Sequence, residues 1–114
     1  MSVKLTTRQV GDVTVIDAVG RITLGDGAST FRDTVRNLSA GGHKKLLLNL
    51  AEVSYIDSSG IGEMVSGFTS ITNQGGMMKL LNLNKRVKDL LQITKLYTVF
   101  EVFEDEAAAV GSFA

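Results

Sequence analysis

Hydrophobic positions along the chain repeat with two different periods, and the changes of period define the predicted elements. Residues 3–10 alternate loosely and residues 13–19 are rich in β-branched side chains, which indicates two strands. Gly11-Asp12 predicts a hairpin turn between them, and the second strand is expected to end at Gly20. Three later apolar runs predict further strands, at residues 45–50, 77–83 and 99–103.

Apolar residues spaced three and four apart predict helices between these strands. The first apolar stripe is Ala28, Phe31, Val35 and Leu38, and the second is Ile61, Met64, Val65, Phe68 and Ile71. Glycine pairs are expected to end these two helices, at Gly41-Gly42 and Gly75-Gly76. A third helix is predicted after the capping residue Asn84, with Val87, Leu90 and Leu91 facing inward, and residues 106–110 predict a short last helix.

The alternation of strands and helices from Lys45 onward predicts an α/β fold. Parallel crossovers in such a chain give a mixed sheet of about four to five strands with helices packed on it. Its 114 residues are the size of one domain, and no repeat or linker divides them, so a single domain is expected over residues 1–114.

Composition narrows the classes of function. Twelve basic and twelve acidic side chains cancel, which argues against a nucleic-acid or membrane binder that depends on a basic excess. The chain has no cysteine, and its first residues lack the apolar centre of a signal peptide. We therefore expect a soluble, cytoplasmic domain.

The most informative segment is residues 57–62, Asp-Ser-Ser-Gly-Ile-Gly, between an apolar run and a helical pattern. It places two hydroxyls where a helix begins, and there unpaired N–H groups and the helix dipole favour an anion. Three anions fit this position, namely a capping carboxylate, a bound phosphate or a phosphate attached to serine. Asp57, Ser58 and Ser59 are all favoured capping residues, so capping alone is the simplest interpretation of the segment by itself.

The other polar residues do not indicate a catalytic or ligand-binding site. His43 is the only histidine, so a metal site or a Ser-His-Asp triad is not expected, and the side chain is expected in solvent. Gly25-Asp26-Gly27 lacks the spacing and the lysine of a phosphate-binding P-loop. Solvated surface is expected for a basic group and an acidic group: Lys85, Arg86 and Lys88, and Glu101, Glu104, Asp105 and Glu106.

Residues 48–62, Leu-Asn-Leu-Ala-Glu-Val-Ser-Tyr-Ile-Asp-Ser-Ser-Gly-Ile-Gly, resemble the signature of the STAS domain. More narrowly, they resemble the bacterial anti-sigma factor antagonists of sporulation and general-stress control. The resemblance extends over almost the whole chain, since Gly20-Arg21-Ile22-Thr23 precedes the first helix and Asn82 leads into the third.

The resemblance implies a phosphorylation switch. It implies that a serine kinase, which is also the anti-sigma factor, phosphorylates Ser58, with Ser59 as the alternative. Unphosphorylated antagonist binds the kinase and frees the sigma factor, and a metal-dependent serine phosphatase restores the binding form. The expected partner-binding residues are Arg21, Thr23, Asp57, Ser58, Ser59, Gly60, Ile61, Gly62 and Glu63.

The resemblance therefore predicts a regulator that is not an enzyme and holds no cofactor or metal. Monomer and weak dimer both remain open for its oligomeric state. Two alternatives also remain: a STAS scaffold or subunit in a stressosome-like or lipid-transport complex, and a small nucleotide-binding protein that uses residues 58–62.

Overall fold

The structure is a computed structural model that describes residues 3–113, and it contains a five-stranded sheet and four α-helices. A single 3₁₀ turn, Leu96–Thr98, lies between the third helix and the last strand. The elements in chain order are β1 (Val3–Val10), β2 (Val13–Ile22), α1 (Asp26–Ala40), β3 (Lys45–Ile56), α2 (Ser58–Asn73), β4 (Met77–Leu81), α3 (Lys85–Ile93), β5 (Val102–Phe103) and α4 (Glu106–Gly111).

The strands lie in the order β1-β2-β3-β4-β5. The β1–β2 hairpin is antiparallel, and the three remaining pairs are parallel. The mixed α/β sheet is therefore confirmed, although parallel pairing already begins with the β2–α1–β3 crossover. Because β2, β3 and β4 are parallel, their carboxyl ends meet at one edge of the sheet, and residues 57–62 begin there.

Four strands differ from the prediction in where they begin or end. Gly20 does not end β2: its φ of 116° accommodates an irregularity in the register, and the strand continues to Ile22. β3 continues to Ile56, well beyond residue 50. In contrast, β4 ends at Leu81, where Asn82 takes a φ of 59°, and β5 has only two residues.

The main core lies between the sheet and helices α1, α2 and α3. Phe31 of α1, Met64 of α2 and Met78 of β4 are fully buried in it. A smaller cluster on the other face of the sheet is covered by Ala109 of α4 and by Phe113, which follows that helix. The helices thus cover both faces of the sheet, and α2 begins at the end of β3 against this packed core.

Two surface expectations are wrong. His43 is half-buried, and its Nδ1 lies 3.0 Å from the hydroxyl of Thr14, so it is not simply solvated. In the acidic group, Glu106 accepts a hydrogen bond of 2.9 Å from Arg8, which also binds Asp17 at 2.7 Å. These contacts attach α4 to the β1–β2 hairpin.

Candidate functional site

Asp57 joins β3 to α2 and caps the helix. Its backbone is extended, and one carboxylate oxygen accepts a hydrogen bond of 2.9 Å from the N–H of Gly60. The other oxygen accepts a hydrogen bond of 2.9 Å from the N–H of Leu24, in the loop between β2 and α1. These two bonds, first that from Gly60, lower the pKa of Asp57. One carboxylate therefore holds two loops together at the carboxyl edge of the sheet.

Gly60 packs directly against the end of β2. A Cβ at this position would overlap the carbonyl oxygen of Ile22, so only glycine fits without a shift of the backbone. Gly60 was predicted to bind the partner, but it is buried and offers little surface for a direct contact. Gly62 is exposed and has open space where a Cβ would stand.

The two serines differ in accessibility: Ser58 is exposed, whereas Ser59 is half-buried. The N–H of Gly60 is taken by the Asp57 side chain, and that of Ile61 by the Asp57 carbonyl at 2.9 Å. The backbone N–H of Ser59 also contributes to the lowered pKa of Asp57, so that carboxylate already faces part of the helix start. An anion on Ser58 would lie at the positive end of the helix dipole.

The remaining predicted partner-binding residues divide into accessible and buried ones. Arg21 is exposed and Thr23 is half-buried, whereas Ile61 is only 7% exposed and packs in the main core. Glu63 is half-buried and forms an ion pair of 3.4 Å with Arg32 of α1. Gly60 and Ile61 are therefore buried beneath this surface, and the other predicted partner-binding residues are at least partly accessible.

Two apolar residues beside the site were missed by the sequence reasoning. Leu24 follows Thr23 in the β2–α1 loop and is 78% exposed, and Tyr55 lies two residues before Asp57 and is 37% exposed. Leu24 could have been found as an apolar residue directly before Gly25, in a segment predicted as a loop. Tyr55 carried no comparable signal, because the predicted strand ended earlier.

The three residues of the basic group on α3 are all exposed, as expected, but they make different contacts. Lys85 and Lys88 are exposed and pair with acidic side chains, Lys85 with Asp89 at 3.0 Å. Arg86 instead lies over the ring of Tyr55, with its guanidinium carbon 5.8 Å from the ring centre. Arg21 lies over the same ring at 5.9 Å.

Two grooves lie close to the site. One of about 440 Å³ runs between α1 and α2, and one of about 520 Å³ lies between the end of β3 and α3. Residues 58–62 line neither groove. Among residues 3–113, no cluster of three or more potential metal ligands is present, and no helix is long and apolar enough to span a bilayer.

Comparison with known proteins gives consistent results. The sequence model of the STAS domain matches residues 4–109. Over 57 residues, the chain is 40% identical to the anti-sigma-B factor antagonist of Bacillus subtilis, an alignment that covers 50% of this chain and 52% of that relative. The chain thus spans about half the length of this curated relative.

Two solved structures share the fold at low identity. An anti-sigma factor antagonist from Mycobacterium paratuberculosis superposes with a TM-score of 0.87 and 15% identity, covering 98% of this chain and 94% of that one. The Bacillus cell fate determinant SpoIIAA in its phosphorylated form gives a TM-score of 0.76 and 18% identity, covering 97% and 100%. With a family match that extends over residues 4–109 and this architecture, the chain belongs to the STAS domain family.

Proposed function

We propose that this chain is an anti-sigma factor antagonist whose binding to a serine-kinase anti-sigma factor is controlled by phosphorylation of Ser58. The observation that carries the proposal is the exposure of Ser58 at the start of α2, beside the doubly hydrogen-bonded cap formed by Asp57. The name of the Bacillus subtilis relative supports the same role. We expect the protein to act in the cytoplasm, where sigma factors work.

In the proposed reaction, the kinase transfers the γ-phosphoryl group of ATP to Oγ of Ser58. The hydroxyl proton passes to a base of the kinase, and ADP leaves. A metal-dependent serine phosphatase uses water to cleave the phosphate ester, which restores the hydroxyl and releases inorganic phosphate. ATP and metal belong to these partner enzymes. In our proposal the chain is their substrate and catalyses no reaction itself.

The surroundings of Ser58 support an effect on binding rather than on folding. Phosphorylation adds about −1.5 to −2 charges and three acceptor oxygens. The positive end of the helix dipole favours such an anion by about 0.3–1 kcal/mol, so the fold should survive. A partner surface packed on Ser58 would instead meet new bulk and charge beside the carboxylate of Asp57. Like charges in an interface cost several kcal/mol, which separates the partners.

The experiment uses candidate serine kinases from the source genome, each incubated with the purified chain, ATP and Mg²⁺. Wild type should gain one phosphate on Ser58, measured by intact mass and peptide mapping. Ser58→Ala should gain none and stay bound to the kinase, and Ser58→Asp should bind poorly while keeping the wild-type circular dichroism spectrum. Ser59→Ala is the matched control and should be phosphorylated like wild type. A phosphate on Ser59 alone, or tight binding by Ser58→Asp, would contradict the proposal.

The same experiment separates the alternatives. A scaffold or transport subunit would bind its assembly equally well with Ser58→Ala and Ser58→Asp. A nucleotide-binding protein would bind ATP without any kinase, which isothermal titration of the purified chain with ATP measures directly. Residues 58–62 line neither groove, which does not support a nucleotide pocket at this segment.

A further inference from the structure

The groove between the end of β3 and α3 has a mainly apolar lining. We define it as the Tyr55 groove, lined chiefly by Tyr55, Arg86, Leu90 and Ile93. We propose that it receives an apolar side chain of the anti-sigma factor, flanked by aspartate or glutamate residues. This inference rests on the proposed function and adds a second contact surface to the one around Ser58.

Apolar surface at this groove is exposed to an unusual degree. Ile93, the last residue of α3, is 79% exposed, and the ring of Tyr55 forms the opposite side of the groove. Grouped apolar side chains on a small domain mark interaction sites, because association removes them from water.

The charged side chains at the groove indicate which kind of partner surface would bind there. Among residues 3–113, neither Arg21 nor Arg86 forms an ion pair, although both guanidinium groups lie within 6 Å of the Tyr55 ring centre. Lys85 and Asp89, at the same groove, neutralise each other at 3.0 Å. The groove therefore carries an uncompensated positive charge beside an apolar surface, which complements carboxylates. A symmetric contact with a second copy would bring the same arginines together and is disfavoured.

The groove is continuous with the surface around Ser58. Arg21 pairs in register with Tyr55 on the adjacent strands β2 and β3, and the chain reaches Asp57 two residues after Tyr55. Arg21 thus belongs both to the predicted partner-binding residues and to the charged side of the groove. One protein that covers Ser58 can reach the Tyr55 groove without any change in this chain.

The test measures affinity for the serine-kinase anti-sigma factor that wild type binds in the assay above, by isothermal titration without ATP. Ile93→Ser and Arg86→Glu should each weaken binding by about tenfold or more, the size of a hot-spot effect. Both residues are exposed, and circular dichroism and urea unfolding should show an unchanged fold. Val19→Ser, an exposed apolar residue of β2, and Lys44→Glu, just before β3 at the opposite edge of the sheet, are matched controls that should bind like wild type.

An exchange of charges between the two proteins tests whether Arg86 faces carboxylates of the anti-sigma factor. Lysine substitutions at surface aspartates and glutamates of the anti-sigma factor should include one that weakens wild-type binding and restores binding to Arg86→Glu. Wild-type affinity in both groove variants would overturn the inference while leaving the proposed function intact. If wild type binds none of the serine kinases, the proposed function fails, and the inference fails with it.

Discussion

The double hydrogen bond of Asp57 makes a quantitative prediction about stability. Replacing a capping carboxylate by alanine costs about 1 kcal/mol. The second bond, from the N–H of Leu24 to a half-exposed carboxylate, contributes about 0.5–1 kcal/mol more. Asp57→Ala should therefore lower the free energy of unfolding by about 1.5–2 kcal/mol, or the midpoint of thermal unfolding by roughly 6–8 °C.

Asparagine at this position separates the two contributions. The asparagine side chain has a single acceptor oxygen, so Asp57→Asn keeps a cap for α2 but cannot also bind the N–H of Leu24. We expect it to lose only the second contribution. Asp105→Asn is the matched control: Asp105 also caps a helix, but its side chain accepts a single bond of 2.8 Å, from Ala108, so the exchange should be nearly neutral.

The assay is urea unfolding followed by circular dichroism, over a range of pH. Because hydrogen bonding lowers the pKa of Asp57 in the folded state, its stabilisation is present above the unfolded pKa of about 3.9. It is lost as the pH falls through the lower folded value. The difference between wild type and Asp57→Asn should therefore narrow in acid. Equal stability of wild type, Asp57→Asn and Asp57→Ala at neutral pH would refute the assigned role of this carboxylate.

Two further substitutions test the packing and the charges. Gly60→Ala should lower the free energy of unfolding by about 1–3 kcal/mol in urea titrations, because its Cβ would overlap the backbone of β2. Gly62→Ala is the control and should be neutral or stabilising, because a Cβ there meets open space. Equal effects of the two substitutions on stability would contradict this difference in packing. Arg8 lowers the pKa of Asp17 and Glu106, so their ion pairs stabilise the fold above a pH of about 4 to 4.5 and lose this effect as the pH falls. In Arg8→Gln, the free energy of unfolding should depend less steeply on pH in this acidic range than it does in wild type. An unchanged steepness would contradict the role of Arg8 in lowering the two pKa values.

Local patterns were sufficient for most of the elements. The three- and four-residue spacing of apolar side chains predicted α1 and α2, and Asn84 caps α3 as expected, with its side chain accepting from the N–H of Val87 at 2.9 Å. These features depend on neighbours within one or two turns, which the sequence displays directly. The family was also recognisable, because the order and spacing of the residues around Asp57 are local as well.

Strand ends were less predictable, because pairing with distant residues decides them. Gly20 resembles a strand end in the sequence, yet β2 continues because β3 offers hydrogen-bond partners as far as Ile56. The last strand was predicted over five residues, but only Val102 and Phe103 form a strand paired with β4. In each case, a contact between segments far apart in the chain overrides the local preference.

The sequence by itself determined the α/β order, the family and the presence of two serines where α2 begins. Only the tertiary structure decided how exposed these serines are and which groups surround them. It buries Gly60 against β2, exposes Ser58 more than Ser59, and joins Asp57 to the loop of Leu24. The physical reason is that parallel strands bring distant loops to one edge of the sheet, and accessibility depends on which of them meet there.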